Sequence, residues 1–206
     1  MVILLIIRQE IKTDYREVEN IVRESFWNIY RPGCYEHYII HNMRYAKSFI
    51  KQLDYLIEED NHIIAHIVYA NGKIHSNNES KTLPILGPVS VHPKYQKQGY
   101  GSKIINYTLK KAEEMGYPGI IVVGDEKYYS RFGFEKAFKY NIHYEGMDRN
   151  DEAPFFMIKV FDKNKINDYQ GIFSNPESYT VDIELLNEFD KAFPPKIKEK
   201  IEGQLE

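Results

Sequence analysis

The sequence predicts a mixed α/β fold in which helices flank a mostly antiparallel central sheet, with a short extension at the C-terminal end. Two observations lead to this prediction. Strand-like and helix-like segments follow one another in the order strand, two helices, three antiparallel strands, helix, strand, helix, strand. The composition, with 43% hydrophobic and 28% charged residues, is that of a globular protein, and 206 residues suffice for one well-buried domain.

The first part of the chain predicts one strand and two helices. Residues 2–9 are rich in Ile and Leu and form the predicted strand. Apolar residues recur at helical spacing over residues 18–26, and either Thr13 or Asp14 is a suitable cap for that helix. A Pro-Gly break separates it from a second predicted helix over residues 35–51.

The middle of the chain predicts three strands, over residues 53–59, 62–70 and 85–91. Asn71-Gly72 is a strong signal for a hairpin turn after the second of them. The polar run at 76–81 instead favours a longer connection before the third.

The remaining elements are predicted from their apolar patterns and caps. A helix covers residues 103–115, and the continuous apolar run at 120–123 indicates a strand covered on both faces. Asp125 caps a short helix that Gly133 ends, and residues 154–161 form another strand. In the extension we expect a short strand at 169–173, a helix at 181–189, and a weakly amphipathic helix with the apolar positions Ile197, Ile201 and Leu205.

The most informative stretch joins the third of these strands to the next helix. Residues 96–102 read Gln-Lys-Gln-Gly-Tyr-Gly-Ser and run directly into an amphipathic segment. The first amides of a helix lack internal acceptors, and the helix dipole places partial positive charge there. Gly99 and Gly101 put no side chain in front of those amides, so the loop suits a diphosphate. An ordinary tight turn is the alternative interpretation of a lone Gly-x-Gly.

The spacing of the glycines matches neither the dinucleotide-binding fingerprint nor the P-loop. It resembles the acyl-CoA loop of the GNAT superfamily of N-acetyltransferases, in which Gln/Arg-x-x-Gly-x-Gly/Ala follows a strand that ends in Val-x-Pro. This chain has Val91-His92-Pro93 and then Gln96-x-x-Gly99-x-Gly101. A second block that resembles the family, residues 119–137, follows at the expected distance.

The resemblance implies a GNAT-like domain at 1–161 and an extension at 162–206 that packs on the domain or at a dimer contact. It also implies acetyl-CoA as co-substrate, without a metal. Backbone groups near Val89, Ser90 and Val91 would bind the pantetheine and thioester, and the amide near Val89 would polarise the thioester carbonyl. The residues that would hold the diphosphate are Gln96, Lys97, Gln98, Gly99, Tyr100, Gly101 and Ser102.

The resemblance further implies Tyr129 as the acid that protonates the departing thiolate, because the family often places a Tyr four residues before the Gly of a Gly-Phe pair. Tyr128 is the competing candidate, and both tyrosines also fit a role as packing aromatics. Many family members carry an Asn where this chain has Gly124-Asp125, so the usual side-chain contact to pantetheine is in doubt here, and Asp125 is a helix cap.

The sequence does not identify a general base. Glu58, Glu59 and His92 are candidates, although a solvated turn charge explains the two glutamates better and His92 is expected on the turn, facing solvent. Selection of the amine should fall to the first two helices, whose aromatic residues suit a cationic acceptor but also suit a core. Those aromatics are Trp27, Tyr30, Tyr35 and Tyr38.

Composition limits the partners and the compartment. A net charge of −3 disfavours a nucleic-acid partner, and the single cysteine, Cys34, excludes an internal disulfide. His37 and His41 are four residues apart but lack a third ligand, so we expect no metal there. No apolar run approaches the roughly 20 residues that span a bilayer, so we expect a soluble, cytoplasmic protein without a membrane partner. The C-terminal extension leaves room for a contact in a homodimer.

The leading hypothesis is an N-acetyltransferase that transfers acetyl from acetyl-CoA to a primary amine of a small molecule or a protein. The alternative is a non-catalytic module on the same fold that binds or senses acyl-CoA, since no base is evident. A nucleotide-phosphate enzyme is disfavoured because no metal-binding carboxylate accompanies the glycine loop.

Overall fold

The computed structural model of the protein describes residues 5–76 and 79–204. The strands in this part of the chain are β1 (Leu5–Gln9), β2 (Tyr55–Glu59), β3 (His62–His75), β4 (Ser80–Val91), β5 (Gly119–Val123), β6 (Glu135–Lys136), β7 (Ile142–Tyr144), β8 (Phe156–Val160) and β9 (Gly171–Ser174). The α-helices are α1 (Tyr15–Phe26), α2 (Glu36–Met43), α3 (Tyr100–Glu114), α4 (Glu126–Tyr129) and α5 (Ile183–Asp190).

The chain forms two compact units, and the first contains the residues up to Val68, Pro88–Ile105 and the segment from Glu177 onward. In this unit β1 pairs antiparallel with β2, and β2 pairs antiparallel with the first half of β3. α1 buries Val18, Ile21 and Val22, whose spacing gives the helix one apolar face.

The second unit contains Tyr69–Gly87 and Asn106–Pro176. Here β4 and β5 pair in parallel over two residue pairs only, Ile85 with Ile121 and Leu86 with Val122. β5 also pairs antiparallel with β8 along its whole length, and β8 pairs with β6. β9 pairs antiparallel with the end of β3 and parallel with β7.

The predicted fold class is therefore confirmed. Helices accompany a mixed sheet in which the antiparallel pairings outnumber the parallel ones. None of the described helices has both the length and the hydropathy to cross a bilayer.

The hairpin predicted at Asn71-Gly72 is wrong, because both residues lie inside β3. The chain turns later, where the Ser76 amide donates to the Glu79 carbonyl. Gly72 has a packing role instead, since a Cβ there would come within 2.2 Å of the Phe173 ring. Phe173 belongs to β9, so the requirement for glycine at position 72 comes from a strand about a hundred residues later in the chain.

The second helix is also shorter than predicted, because α2 ends at Met43 rather than near residue 51. Arg44 follows it directly and turns its guanidinium into a buried cluster of carboxylates. Asp14 precedes α1 but makes no capping hydrogen bond with its side chain. Its carboxylate instead accepts from the Ile11 amide and from Arg8.

The C-terminal segment contains the predicted short strand as β9 and the predicted helix as α5, which Asp182 caps. The helix predicted for the tail is wrong, because the described residues 191–204 contain turns and a bend but neither helix nor strand. Leu205 and residues 2–4 of the predicted first strand lie outside the described residues. The division into 1–161 and 162–206 stays a prediction.

Candidate active site

The end of β4 is held from two sides. The Val91 carbonyl accepts hydrogen bonds from Ser25 Oγ of α1 (2.9 Å) and from Gln96 Nε2 of the following loop (3.1 Å). Val89 and Val91 are half-buried, whereas Ser90 between them is only 2% exposed. The alternation of a strand explains this difference, because Ser90 faces the opposite side of the sheet from its two neighbours.

The turn after β4 is fixed by backbone and imidazole groups. The His92 amide donates to the Ile64 carbonyl (2.8 Å), and His92 Nδ1 accepts from the Lys94 amide (3.2 Å). One turn of 3₁₀ helix, Pro93–Tyr95, follows. Lys97 then adopts a φ of +61°, which an L-residue rarely takes, so the loop between this turn and α3 has a defined course.

The glycine loop opens directly onto the N-terminus of α3. The Gly99 carbonyl accepts from the Lys103 amide (2.9 Å), which makes Gly99 the residue from which the helix begins. Gly99 has a φ of +91°, and a Cβ there would meet nothing within 4 Å. Gly101 lies in the first turn of the helix. The backbone of Gly99 therefore faces open space at the positive end of the helix dipole, as an anion site requires.

The three sequence candidates for the general base all have partners already. Glu58 pairs with Arg8 (2.7 Å), and Glu59 accepts from the Tyr100 hydroxyl (2.9 Å). His92 uses Nδ1 in the turn described above. Each of these groups stabilises local structure.

A cavity of about 380 Å³ lies beside the turn after β4. Two carboxylates contribute to its wall: Glu17, which accepts from the Ile63 amide (3.1 Å), and Glu24, which pairs with Lys196 (2.8 Å). Its residues come from α1, from the start of β3 and from the turn: Glu17, Asn20, Ile21, Glu24, His62, Ile63, His92, Lys94 and Tyr95.

Tyr129 belongs to the second unit and lies at the end of α4. The Asp125 side chain accepts from the Lys127 amide (2.9 Å) and starts this short helix, as the sequence predicts. The half-buried Tyr129 ring packs edge-on against Tyr128 and Phe134, at centroid distances of 5.0 and 5.7 Å. A 3₁₀ turn carries the chain on to Gly133, which has a φ of +82°.

The sequence analysis did not find a buried polar cluster in the first unit. His66 Nε2 is 2.8 Å from Asp54 Oδ1 and 3.8 Å from Glu10 Oε1. Arg44 pairs with both oxygens of Glu10, at 2.6 and 3.0 Å, and with Glu19 at 2.7 Å. The sequence feature that points to this cluster is His66, which stands among the apolar residues of β3. A buried imidazole requires polar partners, so others had to lie nearby.

Burial shifts the pKa values of this cluster toward the neutral forms. It raises the pKa of Glu10 to about 7 and that of Asp54 to about 6, and it lowers the pKa of His66 to about 4. Ligand atoms of these three residues lie within 4.8 Å of one another. The Arg44 guanidinium binds both Glu10 oxygens, so this carboxylate already has a protein cation as its partner.

His37 and His41 do not converge on a common point. His37 lies between Cys34 Sγ (3.3 Å from Nδ1) and Asp190 Oδ1 (3.2 Å from Nε2), whereas His41 Nδ1 contacts Glu19 (2.9 Å). Burial raises the pKa of the Cys34 thiol, so it is a poor nucleophile. These contacts are those of packed residues.

The aromatic residues of the first two helices differ in surroundings. Tyr38 is 8% exposed and packs on Phe189 of α5. The Trp27 indole lies 4.2 Å from the Arg23 guanidinium, and its N–H donates to the Ile197 carbonyl. Arg31 covers the Tyr35 ring, at 3.9 Å from its centroid, and Tyr30 is 46% exposed. Among the four, Tyr30 has the most exposed side chain.

Residues 52–136 match the family described as "Acetyltransferase (GNAT) domain". The chain is similar to a protein of Escherichia coli K12 described as the uncharacterized N-acetyltransferase YhbS, with 26% identity over 65% of this chain and 75% of that one. It is also similar to YjhQ of the same organism, likewise described as an uncharacterized N-acetyltransferase. Identity there is 30% over 40% of this chain and 46% of YjhQ.

Two solved structures have a similar fold. The crystal structure of E. coli YhbS in complex with CoA matches with a TM-score of 0.73 and 23% identity, over 87% of this chain and 93% of that one. A GNAT family acetyltransferase from Brucella melitensis, solved with acetyl-CoA, matches with a TM-score of 0.67 and 26% identity, over 86% and 99% of the two chains. Residues 52–136 therefore match a GNAT acetyltransferase domain, and the two solved structures of similar fold are both described as GNAT family enzymes.

Proposed function

We propose that the protein transfers an acetyl group from acetyl-CoA to a primary amine, of a small molecule or of a protein, by direct attack of the amine on the thioester. The observation that carries this proposal is the glycine loop at the start of α3. Its Gly99 backbone is open to solvent, and the preceding strand end is already fixed by Ser25 and Gln96. The ligands in the two similar structures, CoA and acetyl-CoA, support the same cofactor here.

In this proposal residues 96–102 bind the diphosphate, chiefly through their backbone amides. Exposed lysines on both sides, Lys94, Lys97 and Lys103, add positive charge. Val89, Ser90 and Val91 bind the pantetheine and thioester with their backbone. The Val91 carbonyl already has two donors, so the amides of this strand end have the larger part in binding.

Tyr129 is the proposed acid for the departing thiolate. Its hydroxyl is on a half-buried ring that neighbouring aromatics hold in place, which limits the orientations of the O–H. Tyr128 packs against Arg131, with the guanidinium 4.3 Å from its ring centroid. That contact favours a packing role for Tyr128.

Two features bear on the acceptor. The cavity beside the loop has Glu17 and Glu24 in its wall, and carboxylates attract a cationic amine. The predicted cytoplasmic location, the possible homodimer and the absence of nucleic-acid partners stay predictions.

Calorimetry with acetyl-CoA, followed by a thiol-release assay with a panel of amines, tests the proposal. The panel should contain a polyamine, a lysine peptide and an aromatic amine. We expect binding and amine-dependent release of CoA. Binding of acetyl-CoA without release of CoA for every amine would favour the alternative, an acyl-CoA sensor. The existing partners of Glu58, Glu59 and His92 agree with that alternative, because a sensor needs no general base. No binding at millimolar acetyl-CoA would reject both.

A further inference from the structure

Two buried polar atoms near the end of β4 have no hydrogen-bond partner among the described residues. They are Nδ1 of His66 and Oγ of Ser90. His66 is 1% exposed and Ser90 is 2% exposed. An unpartnered buried polar atom costs free energy, so each one calls for an explanation.

One hydrogen bond relates these two residues to each other. The His92 amide donates to the Ile64 carbonyl, which sets residues 92 and 64 across from each other on neighbouring antiparallel strands. On its other edge β3 has a register shift against β2 beside Ile64. We infer that the register set by His92 and Ile64 continues for two residues along β4 and β3, which puts Ser90 opposite His66. Side chains at directly opposed positions lie on the same face of the sheet, with Cβ atoms about 4.5–5.5 Å apart. Leu56 of β2 is the partner of His66 on its other side, so this face continues across three strands.

Ser90 Oγ and His66 Nδ1 make no hydrogen bond to each other, and one bridging water suits two such facing atoms. Buried waters occur where polar atoms would otherwise have no partner, and typically make about three hydrogen bonds. A water between Ser90 Oγ and His66 Nδ1 would satisfy both atoms at once. The other ring nitrogen, Nε2, is already engaged by Asp54 at 2.8 Å.

We propose that Ser90, a buried water, His66 and Asp54 form the proton relay that accepts the proton of the acceptor amine. This proposal rests on the proposed acetyl transfer and supplies the base that the sequence did not identify. Ser90 is in the strand segment to which we assign the thioester, and it is the only hydroxyl residue among Val89, Ser90 and Val91.

The relay moves protons only, and its charges balance. At the start His66 donates its Nε2 hydrogen to the Asp54 carboxylate, and Nδ1 has a free lone pair. The ammonium form of the acceptor gives a proton to Ser90 Oγ, the Ser90 hydrogen passes to the water, and a water hydrogen passes to Nδ1. The Nε2 hydrogen then moves to Asp54. The products are a neutral amine, a neutral Asp54 and a neutral His66 with its hydrogen on Nδ1.

The neutral amine then attacks the acetyl carbon, so that a C–N bond forms and the C–S bond breaks. The second nitrogen hydrogen leaves with the thiolate as free CoA thiol. Asp54 returns its proton along the same path to solvent, which restores the starting tautomer. The sum is ammonium plus acetyl-CoA giving amide, CoA and one proton.

The surroundings suit this task. The charged or titratable groups that face His66 come from four parts of the fold: Asp54 before β2, Glu10 after β1, Asp14 before α1 and Arg44 after α2. Burial raises the pKa of Asp54 to about 6, so its carboxylate is ionised at neutral pH yet basic enough to take a proton. Arg44 pairs with Glu10 and Glu19, and the side chains that hydrogen-bond to Asp54 are His66, at 2.8 Å, and Glu10.

The tautomer of His66 is the first test, and it needs no acceptor. Long-range ¹H–¹⁵N spectra of the labelled full chain should show hydrogen on Nε2 and a hydrogen-bonded Nδ1. Ser90→Ala should shift the Nδ1 resonance by removing one end of the bridge, whereas His75→Gln, at an exposed site of the same strand, should not. Hydrogen on Nδ1, or the same Nδ1 resonance in Ser90→Ala, overturns the relay.

The pH profile of turnover is the second test. We expect kcat/KM of the wild type to rise as the pH passes through about 6, and Ser90→Ala and His66→Gln to lose about 100-fold in kcat together with that rise. Both variants should keep the acetyl-CoA affinity, and His75→Gln should keep both properties. Wild-type rates and pH profiles in both variants overturn the relay and leave the acetyl transfer intact. A wild type that neither binds acetyl-CoA nor releases CoA rejects the proposed function. The His66 spectra would still show whether a water bridges Ser90 and His66.

Discussion

The Tyr129 ring lies directly over the backbone of Gly124. A Cβ added at residue 124 would come within 2.5 Å of a carbon of that ring, much closer than two such atoms can approach. Position 124 therefore has to be glycine as long as Tyr129 keeps this orientation. The ring therefore leaves no space at residue 124 for the Asn side chain that the resemblance to the GNAT family implies near Gly124-Asp125.

Gly124→Ala is expected to displace the Tyr129 ring and, if Tyr129 is the acid, to lower kcat by about 10-fold to 100-fold. The affinity for acetyl-CoA should change little, because the diphosphate loop is formed by other residues. Steady-state kinetics and calorimetry measure the two effects. A Gly124→Ala variant with wild-type kcat would show that the orientation of Tyr129 has no influence on turnover.

Tyr129→Phe removes the hydroxyl and keeps the ring. We expect a loss in kcat of about 100-fold or more, since general acid catalysis typically contributes that much, with little change in acetyl-CoA affinity. Tyr128→Phe is the matched control, because Tyr128 is the neighbouring ring and packs against Arg131. Equal losses in the two variants, or none in Tyr129→Phe, would remove Tyr129 from the mechanism.

Gly99→Ala tests the diphosphate loop, and Gly116→Ala is its control because alanine strains the backbone similarly at both positions. Gly99 and Gly116 have φ values of +91° and +81°, and a Cβ at either would meet nothing within 4 Å. Alanine should therefore destabilise the fold by about 1 kcal/mol at both sites. Calorimetry should show weaker acetyl-CoA binding for Gly99→Ala only. Equal affinities in both variants would argue against phosphate binding at this loop.

The buried Glu10 carboxyl predicts a pH-dependent stability. Burial raises its pKa from 4.5 to about 7, so between these pH values the folded protein holds a proton that the unfolded chain has lost. This contribution to stability is complete below about pH 4.5 and is lost as the pH rises to about 7. His66, with its pKa lowered to about 4, contributes in the opposite direction, because its part is lost as the pH falls from 6.5.

Glu10→Gln isolates the Glu10 contribution, since it leaves His66 in place. Over about pH 5 to 7 the unfolding free energy of the wild type should decrease with pH more steeply than that of Glu10→Gln. Urea titrations at several pH values measure the difference. Parallel curves for the two proteins would contradict the raised pKa.

The buried ion pair between α1 and α5 predicts a large effect on stability. Arg23 is 2% exposed, and its guanidinium contacts Asp190 at 2.7 and 3.2 Å. Asp190→Asn leaves that charge buried without its counter-ion and should cost about 3–5 kcal/mol. Glu188→Gln, at an exposed site of the same helix, should cost less than about 1 kcal/mol. Urea unfolding midpoints compare them, and similar midpoints would contradict this role of the ion pair.

Local chemistry was predictable from the sequence where a few adjacent residues determine it. The cap at Asp125 and the end of the following turn at Gly133 both depend on residues close by in the chain. The strand, loop and helix around Gly99 belong to the same class. These features needed no knowledge of distant partners.

The failures involve partners far apart in the chain. Gly72 leaves space for the Phe173 ring, and Arg44, directly after α2, pairs with Glu10 after β1 and with Glu19 of α1. The contact of His66 with Asp54, and the position of His66 opposite Ser90, depend on the register of three neighbouring strands. Periodicity identifies the buried face of a strand, but it does not identify which residues from other elements meet there.

The Arg23–Asp190 ion pair also has a consequence for synthesis. The two residues are 167 positions apart, so a ribosome working at roughly 5–20 residues per second makes the second about 8 to 33 seconds after the first. During that interval the nascent α1 and α2 have no α5 to cover the faces on which Phe189 and Phe193 later pack. Newly made chains are thus candidates for chaperone binding at these two helices until translation passes Asp190.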